Sequence, residues 1–286
     1  MAIFGTIGIF VRFIDFGRGF IASSRGIIGA LFLLALALIL KKKPSLAAIK
    51  ANLPILLISG AAIGINWILL FESYSYTTIA ASTLCYYMAP VIVILLSPIF
   101  LKERLTAKKL ICVTVAIVGA LFVSGILESG FGTGGALGCI LALGAAAFYA
   151  SVIILNKKLK DISPYDTTVV QLLVAGIVVL PYAAFAEDNN LFEAEPIELL
   201  LILVVAIVHT GIAYALYFSS IRELKTETVA IFSYLDPVVA VLLSIALSEP
   251  MSPLMAVGSL LIIISLVAVE LPFGKGKERN NDDVNY

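Results

Sequence analysis

Apolar residues run through this chain in long blocks, separated by short clusters of charged residues, Gly and Pro. A helix crossing the hydrocarbon of a bilayer needs about 20 apolar residues. Reading the blocks against their breakers predicts ten helices: 1–16, 21–40, 53–72, 78–101, 107–127, 134–155, 165–186, 197–219, 226–247 and 252–272. The breakers fall between them: Lys43-Pro44, the stretch from Gly130 to Gly135, Ser163-Pro164 and Glu249-Pro250. Thr106 and Ser252 stand where N-caps of the fifth and tenth helices are expected. The first block is short, Met1 to Val11 before Arg12. Either polar residues facing the interior complete it, or the natural N-terminus is longer. The segment 274–286 is polar and is expected to be a disordered tail.

Composition agrees with a membrane setting: 61% of the 286 residues are hydrophobic, 13% are charged, and mean hydropathy is +1.08. Charge placement then orients the helices. Connections on one side carry Lys41, Lys42, Lys43, Lys50, Lys102, Arg104, Lys108, Lys109, Lys157, Lys158, Lys160, Arg222 and Lys225, and the tail adds Lys275, Lys277 and Arg279. The other side holds Arg18 and a run of acids, Glu187, Asp188, Glu193, Glu195 and Glu198. The excess of Lys and Arg predicts that both termini are cytoplasmic. With net charge zero and no basic stripe, nucleic acid is not an expected partner. Cys85, Cys112 and Cys139 lie inside apolar blocks without CxxC spacing, and there is a single histidine, so neither a metal site nor a cofactor is expected. GxxxxGK[ST], HExxH and GxSxG are absent, which argues against direct ATP drive and against an enzyme.

The chain repeats itself. Tyr87-Met88-Ala89-Pro90-Val91-Ile92-Val93-Ile94-Leu95-Leu96-Ser97 is echoed by Tyr234-Leu235-Asp236-Pro237-Val238-Val239-Ala240-Val241-Leu242-Leu243-Ser244, with six of eleven positions identical. A glutamate follows each copy, Glu103 and Glu249. Both read as structural, favouring the positive ends of the helices that follow, with a hinge or gate corner as a secondary reading. The copies fall in the fourth and ninth helices. Five helices per half is an odd number, so the halves cross the membrane in opposite senses. The expected fold is an all-α integral membrane protein of ten transmembrane helices in two inverted five-helix repeats, residues 1–130 and 131–273. Such repeats place a binding site near the bilayer midplane.

The two Pro-Val-x-x-x-Leu-Leu-Ser segments, the glutamates after them and the five-plus-five count resemble the EamA-type branch of the drug/metabolite transporter superfamily. Arg25-Gly26 and the segment from Asn66-Trp67 to Phe71 resemble it too. The resemblance spans residues 3–272, and the short first helix is the departure. It implies a transporter of small organic metabolites in a prokaryotic cytoplasmic membrane. Members resembling this chain export amino acids and other small metabolites, and a few take metabolites up.

Polar groups inside a bilayer are costly and mark candidate sites. Asp236 is the sharpest, because its counterpart in the first copy is Ala89. It is read as holding a cationic group or a coupling proton, or else as a structural partner of Arg12 or Arg25. Arg25 and Arg12 offer forks for a carboxylate or phosphate, or snorkel to the interface. His209 is read as a proton relay or as a packed neutral histidine. Asn66, Trp67, Tyr86, Tyr87, Tyr149, Tyr214 and Tyr234 would supply an aromatic wall with polar tips, or cross-helix hydrogen bonds. Pro90 and Pro237 are candidate helix breaks. The GxxxG spacings at Gly60–Gly64 and Gly134–Gly138 predict close contacts within one protomer, and a monomer is expected. The function expected is secondary transport by alternating access, most simply export, with or without proton coupling. An uncoupled facilitator or an uptake carrier of the same fold is the alternative.

Overall fold

The computed structural model describes residues 2–41, 44–100, 105–124, 127, 134–187, 195–221, 235–249 and 251–270. Among these residues the secondary structure is helical throughout, with no strand. The elements are α1 (Ala2–Gly5), α2 (Ile7–Arg12), α3 (Arg18–Ile39), α4 (Leu46–Ala51), α5 (Leu53–Tyr76), α6 (Ile79–Tyr86) and α7 (Ala89–Phe100). They continue with α8 (Ala107–Val123), α9 (Gly134–Asn156), α10 (Pro164–Phe185) and α11 (Pro196–Ala206), which passes through a π-turn (Ile207–Ile212) into α12 (Ala213–Ile221). Last come α13 (Leu235–Ala246) and α14 (Pro253–Glu270).

Among the described residues, six helices are long and apolar enough to cross a membrane: Arg18–Ile39, Leu53–Tyr76, Ile79–Phe100, Gly135–Asn156, Pro164–Phe185 and Pro196–Tyr217. The first predicted helix is instead two short pieces. Thr6 turns the chain between them, its hydroxyl donating to the Ile3 carbonyl at 2.8 Å. The fourth is interrupted after Tyr86. Pro90 has no N–H to donate to the Tyr86 carbonyl, so the α-helical ladder is broken and restarts at Ala89. The eighth widens into the π-turn, where Thr210 Oγ1 donates to the Val205 carbonyl, five residues back, at 3.1 Å. The short helix α4 lies inside a predicted connection, opened by Ser45 as N-cap.

The caps explain the ends. Thr106 Oγ1 accepts the Lys109 N–H at 3.3 Å and Ser252 Oγ accepts the Met255 N–H at 3.1 Å, as expected of N-caps. At the end of the molecule opposite the lysines, Glu187 accepts the Gly19 and Phe20 N–H groups at 2.7 and 2.9 Å. The acidic connection therefore caps α3 as well as carrying charge. Glu195 and Glu198 form a capping box on α11, and Glu198 also accepts the Asp15 N–H at 2.9 Å.

Large side chains face outward along the helices: Leu38, Ile58, Ile111, Leu242 and Leu260 are exposed. Small residues lie inside: Ala116, Ala142, Ala145, Ala146 and Ala175 are sealed. That inside-out size distribution suits lipid contact, where helices associate through close backbone approach. α3 crosses α10, and α8 crosses α14, each at a glycine pair. A Cβ on Gly26 would meet the Gly176 nitrogen at 2.8 Å, and one on Gly119 would meet the Gly258 carbonyl oxygen at 2.8 Å. Gly60 and Gly64 pack on Val174 and Val179 of α10. α5 lies along α9 and α10, while α1 packs on α13 and α2 on α11.

Candidate functional site

The break after Tyr86 places two tyrosines side by side at the head of α7. Tyr86 and Tyr87 meet edge to face with ring centroids 6.2 Å apart, and Tyr86 lies 5.5 Å from the ring of Tyr149 on α9. The Tyr87 hydroxyl donates to Asp236 Oδ2 at 2.5 Å. Asp236 is the second residue of α13, and α1 crowds it from the other side: a Cβ on Gly5 would fall 2.6 Å from the Asp236 carbonyl oxygen. Asp236 is therefore held by a phenol and by the close approach of α1. It pairs with neither Arg12 nor Arg25, the partners considered from sequence. Tyr234 lies outside the described residues, as does the side chain of Pro237.

Arg12 has a different partner. Its guanidinium pairs with the carboxylate of Glu249, and it donates to the Tyr74 and Thr77 carbonyls at 3.4 and 3.2 Å. Glu249 also accepts the Ile79 N–H at 3.0 Å and the Ser244 hydroxyl. Glu249 thus serves the positive end of α6, capped by Thr78, rather than the helix that follows it. This corrects the sequence reading. The cluster ties α2, the end of α5, the start of α6 and the end of α13 together at the acidic end of the molecule. Nearby, Arg18 donates to the Val11 carbonyl at 3.2 Å and to Ser75 Oγ at 2.8 Å, closing the turn between α2 and α3. Glu103 lies outside the described residues.

Arg25 projects from α3 into the protein and is 5% exposed. Its guanidinium carbon lies 4.1 Å from the centroid of Trp67 and 5.5 Å from that of Phe71. Nε donates to Thr210 Oγ1 at 3.1 Å. The π-turn presents that threonine. His209, beside it, is buried, with Nε2 2.9 Å from the Thr6 hydroxyl, Nδ1 3.4 Å from the Val204 carbonyl and the Phe10 ring tilted against it, centroids 4.8 Å apart. Both ring nitrogens are engaged by these partners. Asn66 is buried, with Nδ2 donating to the Ala145 carbonyl at 2.6 Å and Oδ1 left without a partner.

A cavity of about 410 Å³ opens between α5, α9, α10 and α12. Tyr149, Tyr214 and Tyr217 line it together with Asn156, Thr167, Thr168 and Gln171. Tyr149 is 38% accessible because it faces this space. Gln171 Nε2 donates to Ser59 Oγ at 2.6 Å and to Asn156 Oδ1 at 2.7 Å, which fixes the polar wall. Leu159, Ile162 and Pro164 lie at the mouth, next to Lys157, Lys158 and Lys160. The cavity therefore faces the lysine-bearing end, and the Arg12–Glu249 cluster stands at the opposite end. Sequence reasoning missed Gln171, Asn156 and Tyr217 as wall residues. Their sign was available, since each is a polar group in an apolar helix.

The chain is 30% identical over 282 residues to an uncharacterized transporter, YxxF, of Bacillus subtilis, an alignment covering 97% of this chain and 88% of the relative. It is 25% identical over 191 residues to the protein RarD of Escherichia coli, covering 66% of this chain and 62% of RarD. A solved crystal structure of a protein shares the fold with a TM-score of 0.65 at 17% identity, covering 93% of this chain and 92% of the other. These names and the apolar helices describe a multi-pass membrane transporter rather than an enzyme. A family model, the EamA-like transporter family, matches the chain twice, over residues 1–125 and 136–271, and the protein belongs to that family.

Proposed function

We propose that this protein is a secondary transporter of small organic metabolites, amino acids among them, that works by alternating access and exports its solute from a prokaryotic cell. The observation that carries this reading is the tyrosine-lined cavity at the lysine-bearing end, with the Arg12–Glu249 pair at the opposite end of the molecule. The lysines put the open mouth in the cytoplasm, with both termini on that side. A solute of roughly amino-acid size enters from within, and the Arg12–Glu249 cluster separates to release it.

The same reading takes the chain as ten spans in two inverted repeats, 1–130 and 131–273. The packing supports this. α3 against α10, α8 against α14 and α6 against α13 are the second with the seventh, the fifth with the tenth and the fourth with the ninth helix. α5 against α9 has its counterpart in α11 against α2, the third with the sixth and the eighth with the first. Pairings of this kind are what a two-fold axis in the membrane plane generates. The protomer works as a monomer, with Asp236 holding a cationic group of the solute or a coupling proton.

Counterflow of labelled amino acids in proteoliposomes tests the function. Solute-dependent exchange is expected, driven further by an imposed pH gradient and slowed in Asp236→Asn. Exchange that ignores the pH gradient in both proteins identifies an uncoupled facilitator. Failure to move any small solute refutes the transport reading for this site.

A further inference from the structure

Among the described residues the cation at Arg25 has no counter-ion: no carboxylate pairs with it, and of its five N–H groups only Nε has an acceptor, Thr210 Oγ1. The residue is buried inside a membrane-embedded helix, where an unpaired charge is expensive. Two aromatic faces offset part of that cost by attracting the cation, Trp67 at 4.1 Å and Phe71 at 5.5 Å. They also confine the guanidinium, whose own plane carries its N–H groups. What they cannot do is accept the Nη hydrogens, which lie in that plane. A planar, confined fork with unspent donors matches one ligand chemistry, an oxyanion bound through two parallel hydrogen bonds.

Position supports the same conclusion. Ile63 lines the cavity, and Trp67 stands one turn further along the same face of α5. Tyr214, another lining residue, lies on α12, which the π-turn bearing Arg25's partner Thr210 leads into. Arg25 does not itself line the cavity; it is buried against Trp67, one turn of α5 from the lining residue Ile63. Tyr86 lies against Tyr87, whose hydroxyl holds Asp236, so the second charged group stands beside the same tyrosine cluster.

Resting on the transporter reading, we propose that Arg25 is the anion subsite of the transport cavity: the transported solute carries a carboxylate or a phosphate, and the Nη fork takes it while Trp67 confines the fork. The solute's polar remainder then points toward the tyrosines and Asp236.

Trp67 is the sole tryptophan of the chain and lies against the guanidinium, so it reports on this site directly. The test is a fluorescence titration of the purified protein with matched pairs: amino acids against their amides, short carboxylic acids against their amides, and sugar phosphates against the free sugars. The expected result is a saturable change in Trp67 emission with one anionic set and none with its neutral partner. The set that responds tells carboxylate from phosphate. Arg25→Gln weakens the response about tenfold or more, and Arg25→Lys, which keeps the charge but not the fork, falls between. Should a variant fail to fold, judged by its melting curve, the carboxylate–amide comparison in the parent protein decides alone. Equal responses to anion and neutral partner, or silence toward every anion, overturn the proposal. Solute exchange in proteoliposomes that persists alongside that silence leaves the transport reading standing, whereas absence of exchange for every solute removes that reading itself.

Discussion

Replacing Glu249 by Gln isolates the charge of the Arg12–Glu249 cluster from its shape. The amide still accepts the Ile79 N–H but no longer neutralises Arg12. Hydrogen bonds to a charged group contribute about 1.5–3 kcal/mol. Arg12 is 35% exposed while Glu249 is 6% exposed, and solvent screening on the arginine side lowers the figure to about 1–2 kcal/mol. If the pair separates when the acidic end opens, that energy is lost only from the closed state, and the open population rises about 5- to 30-fold. Ser82 is a suitable reporter: it is buried one turn below Ile79 on the same face of α6. In a chain whose three buried cysteines are replaced by Ala, Ser82→Cys is labelled with a membrane-impermeant maleimide from the acidic side. The labelling rate follows the open population, so it rises by that factor in Glu249→Gln and similarly in Arg12→Gln. The double variant adds little, because the two residues share one interaction. A labelling rate in Glu249→Gln within about twofold of the parent, in a protein of unchanged melting behaviour, would show that the pair does not hold this end shut.

Three other outcomes follow from the packing. Gly26→Ala places a methyl 2.8 Å from the Gly176 nitrogen and the Leu172 carbonyl oxygen. It should cost about 1–3 kcal/mol of stability, whereas Gly144→Ala, whose nearest neighbour is Leu69 Cδ1 at 3.5 Å, should be nearly silent in the same detergent melt. Asn52 exchanges two hydrogen bonds with the backbone of Lys160, at 2.8 and 3.0 Å. Asn52→Ala should therefore cost about 2 kcal/mol and speed hydrogen exchange at the Lys160 amide, and unchanged exchange there would contradict the geometry. Glu187→Gln weakens the charged cap on the first two N–H groups of α3 within its reach, with an expected loss of about 1 kcal/mol read as a lower melting temperature that high salt partly masks.

The long apolar helices were legible because length and hydropathy act locally, as were Thr106 and Ser252, whose hydroxyls cap within three residues. Tyr87 and Asp236 were legible through the repeat: one copy's Ala89 set against the other's Asp236 marked the place where the phenol and carboxylate meet. Glu249 was not, because its partner Arg12 stands at the far end of the chain and no periodicity links them. The helix predicted over 78–101 carried Pro90 as a candidate break; in the structure the ladder stops after Tyr86 and Pro90 sits in the first turn of the next segment, a position proline tolerates. Thr210, which engages Arg25, was passed over because a threonine in an apolar helix ordinarily bonds its own backbone, and here it does that as well.

The π-turn at Ile207–Ile212 fits one residue more into its turn than an α-helix holds. Each residue of an α-helix advances the azimuth by about 100°. The direction in which Tyr214 and Tyr217 point is therefore set by counting rather than by side-chain identity. Removing a single residue from this turn would swing both tyrosines off the cavity wall without altering either of them. Selectivity within such a helix can thus diverge by insertion or deletion, a change in reading frame of the helix surface that a comparison of substitutions alone would overlook.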